Sequence, residues 1–347
     1  MRWLMKTEVT IGIPVYNSAG YIEKTMLSAL SQTFKNIEFI IVDDCGTDGS
    51  IDTVYKLQQQ HPRGNALRIL HNESNRGVGF SRNRIIDEAQ GRFLYFLDSD
   101  DLIEPDTILK LYDALKANNA QVAYGSYEIV DEINNGNTLV YQKPQMIFSC
   151  EDELAKYAFE NIHIFHVSAC NQLIDMSFLH SSGVRFPDVS YWEDMAFTTE
   201  LVTKVSRSVL LPDITYHYIA HDNSLSHYQD RSLIRKSELL ANISVLNHLK
   251  EMSMSLDGKP YLPYLCLNLE INSFYVICNI LKNSNSISPR FSSKELREVL
   301  WHPLSMRQIM KFRDKRVANL FFLSLSILPI PFLLVAIKIL GKLKRCI

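Results

Sequence analysis

Cysteine motifs are missing from this chain of 347 residues. Its six cysteines are scattered, with no CxxC pair and no zinc-ligand spacing, and a chain of this length does not need disulfides to hold a core. This pattern speaks against a cysteine-held zinc site and against a disulfide framework. A reducing cytosol is the compartment that suits such thiols best.

An excess of charge is also missing, because 36 Lys and Arg against 38 Asp and Glu give a net charge of -2. Nonselective binding of nucleic acid needs a basic excess, so we expect no nucleic-acid partner. Residues 1–10 contain three charges and no apolar run of signal-peptide length, so we do not expect export. The hydrophobic content of 46% is enough for one large domain with a smaller appendage.

Strand-like and helix-like segments alternate along the first hundred residues. Apolar runs typical of buried strands lie at 9–14, 37–42, 67–70 and 93–97, and helical spacing lies between them at 21–30, 50–60 and 79–89. This alternation predicts an α/β fold with a mostly parallel sheet flanked by helices, which binds ligands at the carboxyl ends of its strands. Polar residues follow each of these strands, so four loops are expected to converge on one crevice.

Regularity is lost after a further predicted strand at 121–127. Residues 131–136 are turn-like, and the stretch from there to 150 is compatible with a hairpin. The chain then reads as helical from 151 to the polar and aromatic segment 188–197. Long stretches with helical periodicity at 232–252 and 264–282 predict a C-terminal helical appendage.

The strand at 93–97 leads directly into an acidic cluster that contains Asp98, Ser99, Asp100 and Asp101. Crowded carboxylates repel one another, and a divalent cation would cancel their charge. Oxygen ligands favour Mg²⁺ or Mn²⁺ over zinc. The alternative is that these residues cap a helix beginning near Glu104, which is a common use of Asp and Ser.

The C-terminal tail has an uncharged segment, 320–337, which Pro329 and Pro331 interrupt. Basic residues flank it on both sides: Lys311, Arg313, Lys315 and Arg316 before it, and Lys338, Lys342, Lys344 and Arg345 after it. If lysine and arginine stay on the cytoplasmic side, both ends lie on the same face of a bilayer, as in a re-entrant or interfacial hairpin. A tilted single span and a buried hairpin of the core are the alternatives.

Five segments in order resemble the family-2 glycosyltransferases of the GT-A fold, especially bacterial enzymes that build surface polysaccharides. They are 11–17 (IGIPVYN), 41–50 (IVDDCGTDGS), 75–83 (NRGVGFSRN), 98–100 (DSD) and 191–194 (YWED). The resemblance implies a GT-A domain at 1–226, followed by a helical appendage at 227–310 and a membrane-associating tail at 311–347.

The resemblance also implies roles for individual residues. The expected nucleotide-sugar contacts are Pro14, Tyr16, Asn17, Asp43, Asn75, Arg82, Asp98 and Ser99, and the expected metal ligands are Asp100 and Asp98. Asp43 could accept hydrogen bonds from the edge of a base, with an ordinary strand-end turn as the alternative. The fork of Arg82 could reach a phosphate or ribose, or it could lie on a solvated helix face.

The acidic pair Glu193 and Asp194 supplies the expected catalytic base. Asp194 is the candidate that removes the proton of an acceptor hydroxyl, with Glu193 beside it as support, and direct displacement by one base inverts the anomeric configuration. The alternative is that both acids only stabilise the start of a helix.

Three positions depart from the family pattern. Ile219 stands at an expected arginine, so that a cationic contact is missing or moves to His217 or His221. Cys45-Gly46 and Gln172 are the other departures. The segment 224–226 resembles a later part of the pattern.

The function expected from these residues is transfer of a sugar from a nucleoside diphosphate, with uridine diphosphate as the expected nucleotide, to a hydroxyl of a glycan in surface-polysaccharide synthesis. The expected cofactor is Mn²⁺ or Mg²⁺. We expect a lipid-linked acceptor and peripheral association with the cytoplasmic leaflet. The alternatives are a sugar-nucleotide nucleotidyltransferase, which would need a basic glycine-rich loop after the first strand, and a noncatalytic nucleotide- or glycan-binding module.

Overall fold

A computed structural model describes residues 7–132, 137–162, 165, 168–221 and 234–344. The chain divides into two compact units. The sheet unit contains Met1–Leu154, His163–Asp188 and Glu193–Asn223, and the helical unit contains Ala155–Ile162, Val189–Trp192 and Ser224–Ile347.

The first part of the sheet unit alternates strands with helices, as the sequence predicts. The strands are β1 (Val9–Val15), β2 (Ile37–Asp43), β3 (Leu67–His71) and β4 (Phe93–Phe96), and the helices are α1 (Ile22–Leu30), α2 (Ser50–Gln60) and α3 (Val78–Glu88). These four strands are parallel and lie in the order β3-β2-β1-β4. The predicted α/β fold with a mostly parallel sheet is therefore confirmed, and the carboxyl ends of the four strands share one edge.

The second part of the sheet unit is less regular. Its elements are β5 (Leu102–Ile103), α4 (Thr107–Ala117), β6 (Val122–Asp131), β7 (Asn137–Tyr141), β8 (Met146–Phe148), β9 (Gln172–Asp175), α6 (Met176–Ser182), α7 (Glu193–Lys204) and β10 (Ser208–Ala220); α5 (Glu153–Glu160) lies mostly in the helical unit. The sheet continues from β4 in the order β9-β6-β10-β5, and β9 is antiparallel to both of its neighbours.

Two sequence-based expectations for this part are wrong. The chain after α5 is not continuously helical, because it contributes β9 to the middle of the sheet. In its described residues, the stretch from 136 to 150 does not pair with itself as the expected hairpin, because β7 pairs with β6 and β8 pairs with β10.

A glycine in β1 brings α3 close to the sheet. A Cβ atom built on Gly12 would lie 2.3 Å from the Cγ2 atom of Ile85 on α3, which is closer than real contacts allow. The missing side chain thus lets α3 pack directly on the strand, and α3 carries Arg82 towards the carboxyl edge of the sheet.

The helical unit confirms the predicted C-terminal appendage. Its elements are β11 (Ile234–Arg235), α8 (Lys236–Met254), α9 (Leu262–Lys282), β12 (Ile287–Ser288), α10 (Ser293–Val299), α11 (Met306–Ile309), α12 (Arg316–Ile327) and α13 (Ile330–Leu343). Within the described residues, α9 is the single helix long and apolar enough to cross a membrane, and 56% of its apolar window is buried inside the protein. The helices α8, α12 and α13 pack against α9, so it serves as the central helix of this unit.

A fully buried ion pair joins the two longest helices of the helical unit. The Nζ atom of Lys250 on α8 lies 2.8 Å from Glu270 on α9, and it also donates to the carbonyl oxygens of Val299 and Trp301. Burial raises the pKa of Glu270 to about 7 even beside the lysine. Both side chains are fully buried, so water solvates neither charge and each charge is stabilised by its partner.

Lys250→Met is expected to lower the free energy of unfolding by about 3–5 kcal/mol, because it leaves the Glu270 carboxylate buried without a counter-charge. Urea unfolding followed by circular dichroism measures the loss. Lys282→Met, at an exposed lysine of α9, is the matched control. The double variant Lys250→Met/Glu270→Leu should recover most of the stability. An unaltered urea midpoint in the single variant would show that the ion pair does not contribute this free energy of unfolding.

Candidate active site

One side of the crevice is formed where β1, β2 and β3 end side by side. The register places Val15 next to Asp43 and Asp43 next to His71. His71 donates from Nδ1 to the Asp43 carboxylate at 2.8 Å, while the hydroxyl of Tyr55 lies 2.9 Å from its Nε2 atom. Asp43, His71 and Tyr55 therefore form a row of hydrogen-bonded side chains, and sequence reasoning missed His71 and Tyr55. The strand-end histidine is the signal that could have found them.

The loop after β3 is held to the end of β2 by a second aspartate. Asp44 is buried and accepts hydrogen bonds from the side chain of Asn72 at 2.7 Å and from the backbone amides of Arg76 and Gly77 at 2.9 and 2.8 Å. Asn75, a predicted donor contact, lies exposed in this loop and accepts from the amide of Gly77 at 3.2 Å. Asp44 thus fixes the turn in which Asn75 is presented.

The loop after β1 contributes one exposed aromatic ring. Tyr16 is 50% exposed, whereas Pro14 is buried within β1. Asn17 adopts a left-handed backbone conformation (φ 48°), and its side-chain oxygen accepts from the amide of Thr47 at 2.8 Å. Of the expected nucleotide-sugar contacts Pro14 and Tyr16, only Tyr16 therefore has an exposed side chain, and Asn17 links the first loop to the second.

A buried arginine joins the end of β4 to the start of α7. Arg82 donates from one terminal nitrogen to Asp98 at 2.6 Å and from the other to Glu193 at 2.8 Å, and it is only 4% exposed. The solvated helix face is therefore wrong for Arg82. Both terminal nitrogens of the guanidinium already bind protein carboxylates. This placement favours a role for Arg82 as a bridge between Asp98 and Glu193 over the expected contact with phosphate or ribose.

The other residues of the acidic cluster point in different directions. Asp100 lies 3.0 Å from Nε2 of His221, whose ring stacks on Tyr21 with centroids 4.1 Å apart. Asp101 is buried and accepts from the hydroxyl of Tyr216 and from the amide of Ile219. The alternative that this cluster caps the next helix is wrong, because α4 begins at Thr107 and its N-cap residue is Asp106.

Ser99 is a half-buried member of the same turn. Its backbone carbonyl accepts from the hydroxyl of Thr25 on α1 at 3.1 Å. This bond anchors the acidic turn to the first helix, so Ser99 is held by its main chain.

In the part of the chain that the structure describes, no ion pair involves the Asp194 carboxylate, although the charge of Arg82 acts on it from the neighbouring bridge. Its carboxylate accepts from the amide of Met195 at 2.7 Å, and burial, reinforced by the neighbouring Glu193 charge, raises its pKa to about 7. Glu193 and Asp194 are the first two residues of α7, where a helix dipole favours acids. The helix-start alternative is thus right about position, but that position also leaves Asp194 with the pKa that suits a general base at neutral pH.

The donor set at the end of β4 fits a hard divalent cation. Asp98 and Asp100 each keep about a third of their side-chain surface accessible, and burial together with the Asp98 charge raises the pKa of Asp100. A cation would relieve this crowding. Among the described residues no three His, Cys, Asp or Glu side chains form a cage for a metal. Mg²⁺ sites in phosphate-transferring enzymes commonly use one or two carboxylates and complete their shell with water and phosphate oxygens.

The departures from the family pattern have different surroundings. His217 lies between Glu104 and Glu128, at 2.9 and 2.8 Å, so that His221 is the histidine beside the acidic cluster. The backbone amide of Ile219 donates to the Asp101 carboxylate at 2.8 Å. The segment 224–226 lies outside the described residues.

Gln172 and Cys45 make local contacts. The side-chain amide of Gln172 donates to the carbonyls of Ser168 and Ala169, which keeps it inside its own turn. The thiol of Cys45 lies 3.0 Å from the carbonyl of Asn72, so this departure adds a contact between the second and third loops.

Comparison with known proteins identifies the family. The profile described as glycosyl transferase family 2 matches residues 10–182, which contain the first four converging loops and the Asp98-Ser99-Asp100 motif. This chain belongs to glycosyltransferase family 2. The family-2 assignment and the GT-A fold expected from the sequence are both confirmed.

Relatives of this family-2 glycosyltransferase act in polysaccharide synthesis. It is 28% identical to the putative teichuronic acid biosynthesis glycosyltransferase TuaG of Bacillus subtilis, over 64% of this chain and 82% of that one. It is 29% identical to the UDP-Glc:alpha-D-GlcNAc-diphosphoundecaprenol beta-1,3-glucosyltransferase WfaP of Escherichia coli, over 69% and 88% of the two chains. Some relatives are longer: the chain spans 41% of an uncharacterized glycosyltransferase of Rickettsia conorii.

A solved structure shows the same fold. Residues 1–349 of TarS from Staphylococcus aureus, crystallised in complex with UDP-GlcNAc, match this family-2 chain with a TM-score of 0.65. The match covers 92% of this chain and 90% of that one at 17% sequence identity, so that it speaks for the fold alone.

Proposed function

We propose that this protein is an inverting, metal-dependent hexosyltransferase that moves a sugar from a nucleoside diphosphate, uridine diphosphate in the first instance, to a hydroxyl of a glycan acceptor. One observation carries the proposal. Arg82 holds Asp98 and Glu193 in a single buried bridge, and this brings Asp194 to the acidic turn after β4. Such an arrangement places a proton acceptor, Asp194, close to the acidic turn where a cation-bound diphosphate would lie.

The donor's nucleoside would bind at the ends of β1 and β2. Tyr16 offers an exposed ring for stacking, and the Asp43 carboxylate, held by His71, can accept from the N–H of a uracil. Asn17 and Asn75 belong to the loops that frame this position. The printed name of WfaP, a relative that is 29% identical, gives UDP-Glc as its donor, and this supports a uridine donor here.

Asp98 and Asp100 would hold Mn²⁺ or Mg²⁺, with His221 next to Asp100. When bound, the ion neutralises the charge that develops on the departing nucleoside diphosphate. Arg82 orients the Asp98 carboxylate, because its buried guanidinium depends on that counter-charge 2.6 Å away.

Asp194 would act as the base. Its carboxylate accepts the proton of the acceptor hydroxyl while that oxygen forms the new bond to the anomeric carbon and the bond from this carbon to the diphosphate oxygen breaks. Attack from the face opposite the leaving group inverts the anomeric configuration. Glu193 is held by Arg82 and acts as the positioning residue for its neighbour.

The acceptor is proposed to be a growing glycan carried on a lipid at the cytoplasmic leaflet of the membrane. The printed name of WfaP describes an acceptor linked to diphosphoundecaprenol. The basic and apolar character of the C-terminal tail agrees with such a location.

The two alternatives have less support. A nucleotidyltransferase would grip a triphosphate with a basic loop after β1, and the loop 16–21 contains neither lysine nor arginine. A noncatalytic binding module would have no use for a carboxylate with the raised pKa of Asp194.

Removal of divalent metal with EDTA is expected to reduce release of UDP from UDP-sugars to background, and added Mn²⁺ or Mg²⁺ should restore it, because the diphosphate is a poor leaving group without charge neutralisation. The release of UDP is measured with a panel of UDP-hexoses in phosphate-free buffer. Asp100→Asn should show the same loss, and Asp113→Asn, at an exposed aspartate of α4, should not. If no uridine donor binds while another nucleotide sugar does, the nucleotide assignment is wrong; full turnover in EDTA would contradict the metal.

A further inference from the structure

The helices α12 and α13 expose apolar side chains along their outer faces. The exposed fractions are between 44 and 81% for Val317, Phe321, Ile327, Phe332, Val335, Ile339 and Leu343. The inner faces are different, since Leu325, Leu333 and Ile337 are almost fully buried in the helical unit. Each helix therefore has two apolar sides, and only one of them is used by the fold. Large exposed apolar surface of this kind marks an interaction site.

The same segment is strongly basic. Residues 311–344 contain seven basic side chains, Lys311, Arg313, Lys315, Arg316, Lys338, Lys342 and Lys344, and the single acid Asp314. Lys338, Lys342 and Lys344 are exposed and alternate along α13 with Val335, Ile339 and Leu343. A helix with lysines beside exposed apolar residues is typical of segments that lie in the interface of an anionic membrane.

We propose that the outer face of α12 and α13, called here the membrane face, lies in the headgroup region of an anionic membrane without crossing it. The two helices contain 12 and 14 residues, so each is only about 18–21 Å long, against a hydrocarbon core of about 30 Å. The break between them at Pro329 and the burial of their inner faces argue against one continuous span. This inference rests on the proposed function, which includes a lipid-linked acceptor, and it names the surface that would bring the protein to that acceptor.

Charge decides between a membrane and a second copy of the chain. In a two-fold symmetric dimer the membrane face would meet itself, and the exposed Lys338, Lys342 and Lys344 would then be brought close to the same lysines of the second copy. An anionic lipid surface instead attracts each lysine or arginine. The membrane is therefore the occupant that this face suits.

Sedimentation with vesicles tests the proposal. The full chain is mixed with vesicles of equal parts phosphatidylglycerol and phosphatidylcholine, or of phosphatidylcholine alone, and the bound fraction is measured after centrifugation. We expect strong binding to the anionic vesicles, weak binding to the neutral ones, and release of the protein by alkaline carbonate, which leaves spanning proteins in place.

Two sets of variants separate the apolar and the basic contributions. Phe332→Ser/Val335→Ser/Ile339→Ser and Lys338→Gln/Lys342→Gln/Lys344→Gln should each weaken binding about a hundredfold. The matched controls change exposed residues elsewhere in the helical unit: Leu240→Ser/Met254→Ser/Met306→Ser and Lys282→Gln/Arg290→Gln/Lys294→Gln. The controls should bind as the unaltered protein does.

Sugar transfer to a soluble acceptor is measured in parallel, so that the two proposals can fail separately. The variants of the membrane face should keep this activity, because none of them lies in the sheet unit. Equal binding to both kinds of vesicle, equal binding by variants and controls, or resistance to carbonate would each overturn the proposal. Concentration-dependent dimers that the serine variant abolishes, without vesicle binding, would overturn it in favour of a second copy.

Discussion

Asp194→Asn is expected to lower kcat by about 10²–10⁴-fold while the affinity for the nucleotide sugar stays the same. The asparagine keeps the shape of the side chain and removes the proton acceptor. Initial rates with saturating donor measure kcat, and calorimetric titration with the donor measures the affinity. A noncatalytic binding module would keep its affinity and show no transfer in either form, whereas an unchanged rate of transfer would remove Asp194 from the mechanism.

The pH profile checks the same residue independently. A base must be ionised to act, and the raised pKa of Asp194 means that it takes up a proton as the pH falls through about 7. For the unaltered protein, kcat should therefore rise with pH up to this region and level off above it. The residual rate of the asparagine variant should lack this limb. A rate of the unaltered protein that is flat from pH 5 to 8 would mean that the essential base has an ordinary carboxylate pKa.

Arg82→Met is expected to destabilise the sheet unit by about 3–5 kcal/mol, because it leaves Asp98 and Glu193 partly buried without their shared counter-charge. Transfer should also fall, since Asp98 and the first turn of α7 lose the link that aligns them. Thermal unfolding and kcat are measured together. Arg76→Met, at an exposed arginine of the loop after β3, is the control that should change neither strongly.

A double-mutant cycle distinguishes the bridge from simple loss of packing. If Arg82 acts through its charge, Arg82→Met and Glu193→Gln should be strongly non-additive in the free energy of unfolding. Additive effects of the two substitutions would contradict the bridge. Arg82→Lys should recover only part of the stability, because an ammonium cannot reach two carboxylates with the geometry of a guanidinium fork.

The first four strands and three helices could be predicted within one or two residues, because each is a single apolar or periodic run bounded by polar residues. The strand β10 was missed for a physical reason: Pro212 and Asp213 interrupt it, and the pairing with β6 shifts register between Leu210 and Ile214. Such an irregular strand has no simple alternation to read. The four residues of β9 are too few to stand out from the turns around them.

The placement of the site was less accessible to sequence reasoning than the fold. The acids at 98–101 and 193–194 could be found from their local pattern, but the bridge through Arg82 joins residues 111 positions apart in the chain. No local signal predicts such a contact. The same holds for the contact between Asp100 and His221, which depends on how β10 lies in the sheet.

The reversed direction of β9 has a consequence for how this enzyme family can diversify. Because β9 runs against β4, its first residues lie beside the carboxyl end of β4, while on the other side Gln172 lies opposite Tyr124 of β6. Asn171, directly ahead of Gln172, donates to the carbonyl oxygens of Gly125 and Ser126, and the ladder from Leu173 to Asp175 holds both halves of the sheet together, so the point where the chain enters the sheet is fixed on both sides. Variation farther ahead in the chain would leave the half of the sheet formed by β1 to β4 unchanged.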